Sequence, residues 1–268
     1  MYKKNQNILL LIQELEPNKK ALNHALKIAN IFKSKVLIST SPFSKNKIEQ
    51  TDIEAYISKL EHVNTITLDN TKEEPNKSIE KLNIIFLIIE INNKTDFKLF
   101  LKNNIFSWIL KAKIPSLLIS RNTSSNTDYS NIILPIDHKK ESKEKMIWAS
   151  YFGRFNNSVV QLILANEKED VSMKTIRNTL AFTKKMFSQF IFEYKIHKSK
   201  LPSKSINEEA FKTSTTQESD LVILMTDKTE GILFPRYNSS KIKHYMNTYS
   251  NPILLINPMK DYYLPCDS

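Results

Sequence analysis

The chain has 268 residues, 41% apolar and 25% charged, which suits two globular domains and excludes a disordered chain. Its single cysteine, Cys266, excludes an intramolecular disulfide and a cysteine-based metal site. The net charge of +11 comes almost entirely from lysine, and the few arginines are scattered, so the composition favours a solvated basic surface over a specific nucleic-acid site.

The first half of the chain predicts strands and helices in alternation. It opens with the apolar run Asn7–Ile12, which is typical of a strand buried on both faces and too short for a signal peptide or a membrane span. Apolar residues at helical spacing follow from Ala21 to Phe32. The other predicted elements are a strand at 36–39, a helix through 53–60, a strand at 65–68, a helix over 75–82, a strand at 84–91, a helix over 99–110 and a strand at 116–120.

The second half repeats this order after a polar segment. Residues 122–130 have no apolar periodicity and predict a linker. The predicted elements beyond it are strands at 132–136, 159–164, 192–196, 221–225 and 253–256, and helices over 142–155, 173–187, 206–216 and 239–248. Strands that alternate with helices favour a parallel sheet with helices on both faces, so each half predicts an α/β domain with five strands.

The two halves are copies of one unit. The heptapeptide NILLLIQ at Asn7–Gln13 recurs as NIILPID at Asn131–Asp137, 124 positions later. The same offset holds through the following helix and strand, where Leu22 and Ala25 fall on Met146 and Ala149. We therefore predict two tandem domains, residues 1–121 and 131–268, joined by the linker 122–130, with 261–268 as a tail outside the repeat.

Short motifs at the strand ends point to a family. The opening strand of the second half ends in Pro135-Ile136-Asp137, and both closing strands have a leading proline, in Ile114–Ile119 and Asn251–Ile256. In their order and duplication, these motifs make the chain resemble the tandem form of the universal stress protein family. The resemblance implies an adenine nucleotide alpha hydrolase-like fold in each half.

The family's phosphate-binding loop is altered in this sequence. Nucleotide-binding members carry G-x2-G-x9-G-[ST] after the fourth strand, because glycines let backbone amides approach the phosphates. Here Thr226 and Thr229 stand at the first two glycine positions, and Ser239 and Ser240 stand where glycine and serine or threonine are expected. A β-branched residue is unfavourable where positive φ is needed, so we expect this loop not to form the family's phosphate cradle.

Two further positions carry the resemblance to a nucleotide site. Asp137 matches the acidic residue that contacts the nucleoside, and by the same analogy the backbone at Leu164 and Ala165 would flank an adenine. The alternative for Asp137 is that it caps the next turn or helix. In the first half Gln13 replaces the aspartate and residues 92–104 contain no glycine, so that half is interpreted as a structural copy.

No pattern indicates catalysis or a metal. The five histidines are isolated, and neither a nucleophile elbow nor a Walker loop is present, so we predict no catalytic residue, no metal ligand and no enzyme. The leading hypothesis is a cytoplasmic, non-enzymatic universal-stress-type protein with a stress-response binding or scaffold role, degenerate nucleotide sites and no cofactor. The alternative is an ATP- or AMP-binding sensor with slow ATP hydrolysis, which would use Asp137, Thr226, Thr229, Ser239 and Ser240. A weaker third option is a relative of the electron-transfer flavoproteins.

The resemblance also implies how the domains associate. Family members commonly pair through their closing strands, so a tandem chain is expected to form an intramolecular pseudo-dimer, with a homodimer as a further possibility. Pro115 and Pro252 each precede the strand and would not block such pairing. We expect protein partners, no specific nucleic acid and no membrane.

Overall fold

The computed structural model describes residues 6–15, 19–40, 48–58, 60, 63–66, 75–91, 109, 112–226 and 239–258. The chain divides into two compact units. The first comprises Met1–Thr127 together with Ser239–Pro252, and the second comprises Asp128–Asn238 together with Ile253–Ser268. Each unit is therefore built from two separate stretches of sequence.

The first unit contains a parallel sheet of five strands in the order β3-β2-β1-β4-β5. Its described elements are β1 (Asn7–Ile12), α1 (Lys20–Phe32), β2 (Lys35–Thr40), α2 (Gln50–Ile57), β3 (Val63–Thr65), α3 (Pro75–Lys81), β4 (Ile84–Ile91) and β5 (Ser116–Ser120). Strand order reverses between β1 and β4, which is where open parallel sheets bind ligands.

The second unit repeats this topology in the order β8-β7-β6-β9-β10, again with parallel neighbours. Its elements are β6 (Asn131–Ile136), α4 (Ser142–Asn156), β7 (Val159–Leu164), α5 (Asp170–Phe187), β8 (Tyr194–Lys198), α6 (Ser203–Thr216), β9 (Leu221–Met225) and β10 (Ile253–Ile256). Two copies of one five-stranded α/β unit are present, which confirms the predicted fold class.

The last helix of the second repeat packs with the first unit. This helix, α7 (Ser239–Thr248), precedes β10 in the sequence. The side chain of Asn122 donates to the carbonyl of Asn247 at 3.0 Å, and the amide of Ser124 donates to the carbonyl of Ser250 at 2.7 Å. The sequence-based domains assigned α7 to the second domain, whereas the contacts group it with the first.

Two strands differ in position from the sequence expectation. Strand β8 begins at Tyr194 rather than at residue 192, because the ring of Phe192 packs on Phe187 with their centroids 4.9 Å apart. Strand β3 covers Val63–Thr65, two residues earlier than the predicted start at 65, and positions 67–68 of that prediction lie outside the described residues. The predicted helix over 99–110, apart from residue 109, and the tail 261–268 lie outside the described residues.

The core lies around the strands at the centre of each sheet. Residues 8–12 of β1 and 132–136 of β6 are all buried. Crossover helices cover a parallel sheet, so a central strand is apolar throughout rather than in alternation. Among the described residues, no helix has the length and apolar character needed to cross a bilayer.

Candidate functional site

The strand ends at the reversal point of the second unit define the candidate site. β6 and β9 are neighbours there, and their crossovers lead in opposite directions along the sheet. Asp137 follows β6, Ala165 follows β7 and Thr226 follows β9, so the fold places these three predicted residues at the carboxyl ends of three parallel strands.

Asp137 is bonded to the segment that leads into α4. Its Oδ1 accepts hydrogen bonds from the amide of Lys139 at 3.1 Å and from the hydroxyl of Ser142, which is buried at the start of the helix. These are the bonds that the capping alternative predicted. The Asp137 residue is nevertheless half-buried rather than enclosed.

Ala165 extends the ladder between β6 and β7. It is buried, and its amide donates to the carbonyl of Ile136 at 2.9 Å. The backbone beside the carboxyl end of β6 is therefore ordered by the sheet itself.

A second polar group lies beyond the same strands and was not predicted from the sequence. Glu167 Oε1 accepts a hydrogen bond from the amide of Ser203 at 2.7 Å and lies 3.5 Å from Nδ1 of His138. The amide of His138 in turn donates to the hydroxyl of Ser203 at 3.1 Å. The hydrogen bonds from Ser203, with a smaller attraction from His138, lower the pKa of Glu167 and favour its carboxylate form.

A signal for this group was available in the sequence. Glu167 and Ser203 each follow a predicted strand, as His138 follows β6. All three therefore lie at the carboxyl ends of strands of one parallel sheet. Their contacts link the loops after β6, β7 and β8. These contacts hold the three loops together at the carboxyl ends of the strands, and the His138 side chain stays half-exposed.

Thr226 is directed toward the closing strand. It is buried, its amide donates to the carbonyl of Ile256 at 2.8 Å, and its hydroxyl donates to Oδ1 of Asn257 at 2.7 Å. Thr229 lies outside the described residues. Ser239 and Ser240 are the first residues of α7, which belongs to the first unit, and Ser240 is exposed.

The corresponding strand end of the first unit is closed by a buried acid. The amide of Gln13 donates to Oε2 of Glu90 at 2.9 Å, and both residues are buried. Glu90 lies in the apolar strand β4, and the sequence analysis assigned it no role. Across the described residues of both units, no group of three histidine, cysteine, aspartate or glutamate side chains could hold a metal ion.

Comparison with known proteins identifies the fold. No family model matches the sequence, and no curated protein matches it. A solved structure of a functionally unknown protein from Pseudomonas aeruginosa PAO1 is similar, with a TM-score of 0.63 and 12% identity over 95% of this chain and 92% of that one. A universal stress protein from Archaeoglobus fulgidus DSM 4304 is similar with a TM-score of 0.62 and 11% identity, over 96% of this chain and 100% of that one. The chain therefore has the fold of a universal stress protein over nearly its whole length, in agreement with the resemblance seen in its strand-end motifs.

Proposed function

We propose that this is a non-enzymatic universal-stress-type protein with a binding or scaffold role in the stress response and with degenerate nucleotide sites. The observation that carries the proposal is the state of Thr226, at the first glycine position of the phosphate loop. Its hydroxyl is buried and bonded to Asn257, and its amide is bonded to Ile256. The proposed place of action is the cytoplasm.

The bonds of Thr226 bear on phosphate binding through geometry. A phosphate cradle needs backbone amides that point at the ligand with no side chain between them. At Thr226 the amide is used by β10, and a branched side chain stands where the family has none. The side chain of Thr226 therefore bonds within the protein at the position where the family has a glycine.

The first unit supports the same proposal by a hydrogen bond at the end of its first strand. Glu90 is nearly fully buried and accepts from the amide at the end of β1, where the family's acidic residue would stand. This contact takes up the strand end at which the family's acidic residue would contact a nucleoside. In both units, a described residue at the reversal point is thus bonded within the protein, Gln13 to Glu90 and Thr226 to Asn257.

The rival function is an ATP- or AMP-binding sensor with slow ATP hydrolysis. It is favoured by Asp137, whose carboxylate lies half-buried beyond β6 and beside the ordered backbone of Ala165. A nucleoside could bind beside Asp137 without the loop glycines if the phosphates contributed little to the binding free energy. Binding of AMP as tight as that of ATP is the signature of this mode.

Thermal denaturation with millimolar ATP, ADP or AMP separates the two functions. We expect each nucleotide to change the melting temperature by less than about 1 °C, since only a ligand that binds the folded state stabilises it. A rise of about 3 °C or more that disappears in Asp137→Ala would establish the sensor instead. Phosphate release from ATP, followed over hours, tests the absence of hydrolysis in the same samples.

A glycine-restored variant provides the matched positive control. Thr226→Gly, Thr229→Gly and Ser239→Gly together return the loop to the family's pattern at unchanged length. If the lost glycines are the cause of degeneracy, this variant gains a nucleotide-dependent rise over its own ligand-free melting temperature. If the variant folds and still shows no rise, the explanation by glycine loss is wrong, although the absence of binding in the natural chain stands.

A further inference from the structure

The outer edge of β8 presents unused backbone groups. The amide of Val160 donates to the carbonyl of Glu193 at 3.0 Å, and the amide of Ser199 donates to the carbonyl of Leu164 at 2.9 Å. Backbone direction alternates along a strand, so Tyr194, Ile196 and Lys198 direct their amides and carbonyls away from β7. No described residue bonds to these outward groups.

This edge is held rigidly from behind. Nε2 of His197 donates to Oε1 of Gln161 at 3.1 Å, because the amide nitrogen of Gln161 is used to donate to Oδ1 of Asn131 at 2.6 Å. The Tyr194 ring packs on Phe187 with their centroids 5.3 Å apart. A strand fixed in this way is preorganised, so a further strand can pair with it at a reduced loss of conformational entropy.

An apolar contact point adjoins the start of β8. Ile191 is fully exposed at 101% of its reference area, and Phe190 beside it carries the guanidinium of Arg154 at 3.9 Å from its ring centroid. A large aliphatic side chain held in water next to an open strand edge provides a place for an apolar residue of a partner.

The charge around the edge selects an acidic partner. Lys195, Lys198 and Lys200 are exposed along the strand and just beyond it, and Lys184 and Lys185 are exposed at the end of α5. Glu193 pairs with Lys195 at 3.2 Å and offsets only part of this charge.

The same charge disfavours a second copy of the chain as the occupant. Antiparallel pairing of two β8 strands about Ile196 would bring Lys195 and Lys198 of both copies into one pair of strands. Four lysines concentrated there repel one another, which disfavours the pairing.

We propose that the outer edge of β8 binds an extended acidic segment of a partner protein as an additional strand, with Ile191 receiving an apolar side chain of that segment. The outward backbone groups supply the hydrogen bonds, and the lysines supply the charge preference. The proposal goes beyond the function inferred above, since it concerns a strand edge that takes no part in the nucleotide site, and nucleotide binding has no bearing on it.

The test uses a fluorescein-labelled synthetic peptide of alternating glutamate and valine. The peptide has about ten residues, so that it is longer than β8 and can pair along the whole strand. Fluorescence anisotropy with the full chain at low salt measures its affinity. The comparison peptide has lysine in place of every glutamate. We expect the acidic peptide to bind at least about tenfold more tightly than the basic one, and its affinity to fall as salt is raised.

Three variants locate the binding. Ile196→Pro removes an outward amide and leaves the bonds to β7, and Lys195→Glu with Lys198→Glu reverses the charge; each should weaken peptide binding about tenfold or more. Lys212→Glu makes the same type of charge change on α6, which packs on β6, and should have little effect. If Ile196→Pro does not fold, as judged by circular dichroism, Lys198→Pro makes the same change at an exposed position.

Several outcomes would overturn the proposal. One is that the folded chain does not bind the acidic peptide. A second is that both peptides bind equally, and a third is that binding survives the proline variants. A dimer in light scattering that Lys198→Pro converts to a monomer would assign the edge to a second copy of the chain instead.

Discussion

The two copies close the end of their first strand in different ways. In the first unit the amide of Gln13 is bonded to Glu90, which comes from the neighbouring strand β4. In the second unit Asp137 is bonded to Ser142, which comes from the helix that follows. The same fold position is thus stabilised by a neighbouring strand in the first copy and by the following helix in the second.

Strand register shows how this difference arises. Ile8 pairs with Phe86 and its counterpart Ile132 pairs with Leu221, so the position of Glu90 corresponds to Met225 in the second copy. The copy with glutamine at the end of its first strand has an acid in its fourth strand, and the copy with aspartate there has an apolar residue. Each copy therefore keeps one acidic residue at this strand end, from a different element, so the residues at the strand end have diverged while the sheet order has not.

The first helices differ as well. By the repeat offset, His24 of α1 corresponds to Trp148 of α4, and Ala29 corresponds to Gly153. His24 is fully buried and its Nε2 lies 3.0 Å from the carbonyl of Ser124, whereas Trp148 is half-buried. Because of these differences, the stability of each unit should respond to a change that does not affect the other unit. Measurements of unfolding can therefore test the comparison.

The largest expected effect is that acid destabilises the first unit. Burial lowers the pKa of His24 from 6.5 to about 4. Between these values the unfolded chain binds one proton more, so the free energy of unfolding falls as pH falls through this range, by about 3 kcal/mol in all, and is unaffected by His24 above it. Urea unfolding at several pH values measures the loss, with Trp148→Phe leaving Trp108 as the reporter of the first unit.

The matched control for this effect is His24→Gln. Glutamine can donate to the carbonyl of Ser124 and does not titrate, so the variant should lose this part of the pH dependence. The reciprocal reporter, Trp148 in a Trp108→Phe background, should show no such term for the second unit. An equal slope in His24→Gln and the natural chain would contradict the assignment.

The next effect is on the second unit and arises from Gly153. A Cβ at this position would lie 2.5 Å from Cδ2 of Phe192, so Gly153→Ala should lower the free energy of unfolding by about 2 kcal/mol despite the better helix propensity of alanine. Urea unfolding followed by Trp148 measures the change. Adding Phe192→Leu should recover part of it.

The first copy supplies the comparison for Gly153. Ala29 already carries the methyl group, so Ala29→Gly should cost only about 1 kcal/mol, mostly from propensity. A stabilised Gly153→Ala would mean that the Phe192 ring moves away from position 153 without cost, and the expected clash would then be wrong.

The smallest effect concerns Asp137. Removal of its carboxyl group in Asp137→Ala should lower the free energy of unfolding of the second unit by about 1 kcal/mol, as for loss of a side-chain hydrogen bond. A double-mutant cycle with Ser142→Ala in urea should show that the two losses are not additive, because they share one hydrogen bond. Additive losses would show that Asp137 stabilises the unit through other contacts.

Much of the fold could be predicted from the sequence, because most strands are continuous runs of apolar residues. Both copies of the opening strand and of the closing strand lie where the runs predict them. The shift of β8 could not be predicted, since it depends on the packing of Phe192 on Phe187, a residue of the preceding helix. Local pattern also cannot tell which residues a helix contacts, so α7 was placed in the second domain by sequence order alone.

The candidate site was predictable in part. The sequence placed Asp137, Ala165 and Thr226 at strand ends and offered two roles for Asp137, of which the bonds to Lys139 and Ser142 match capping. Whether any of the predicted residues binds a nucleotide stays a prediction. Glu90 was missed because a lone acid in an apolar strand has no periodic signature, and its role depends on the strand beside it.

The position of α7 has a consequence for synthesis of the chain. Domains usually fold one after another as they leave the ribosome. Here the earlier unit must wait for residues up to Pro252, by which time nearly all of the later one has emerged. A chain released early, at the end of the first repeat, would lack one helix of its own unit, so this duplicated protein can complete neither half until translation is almost finished.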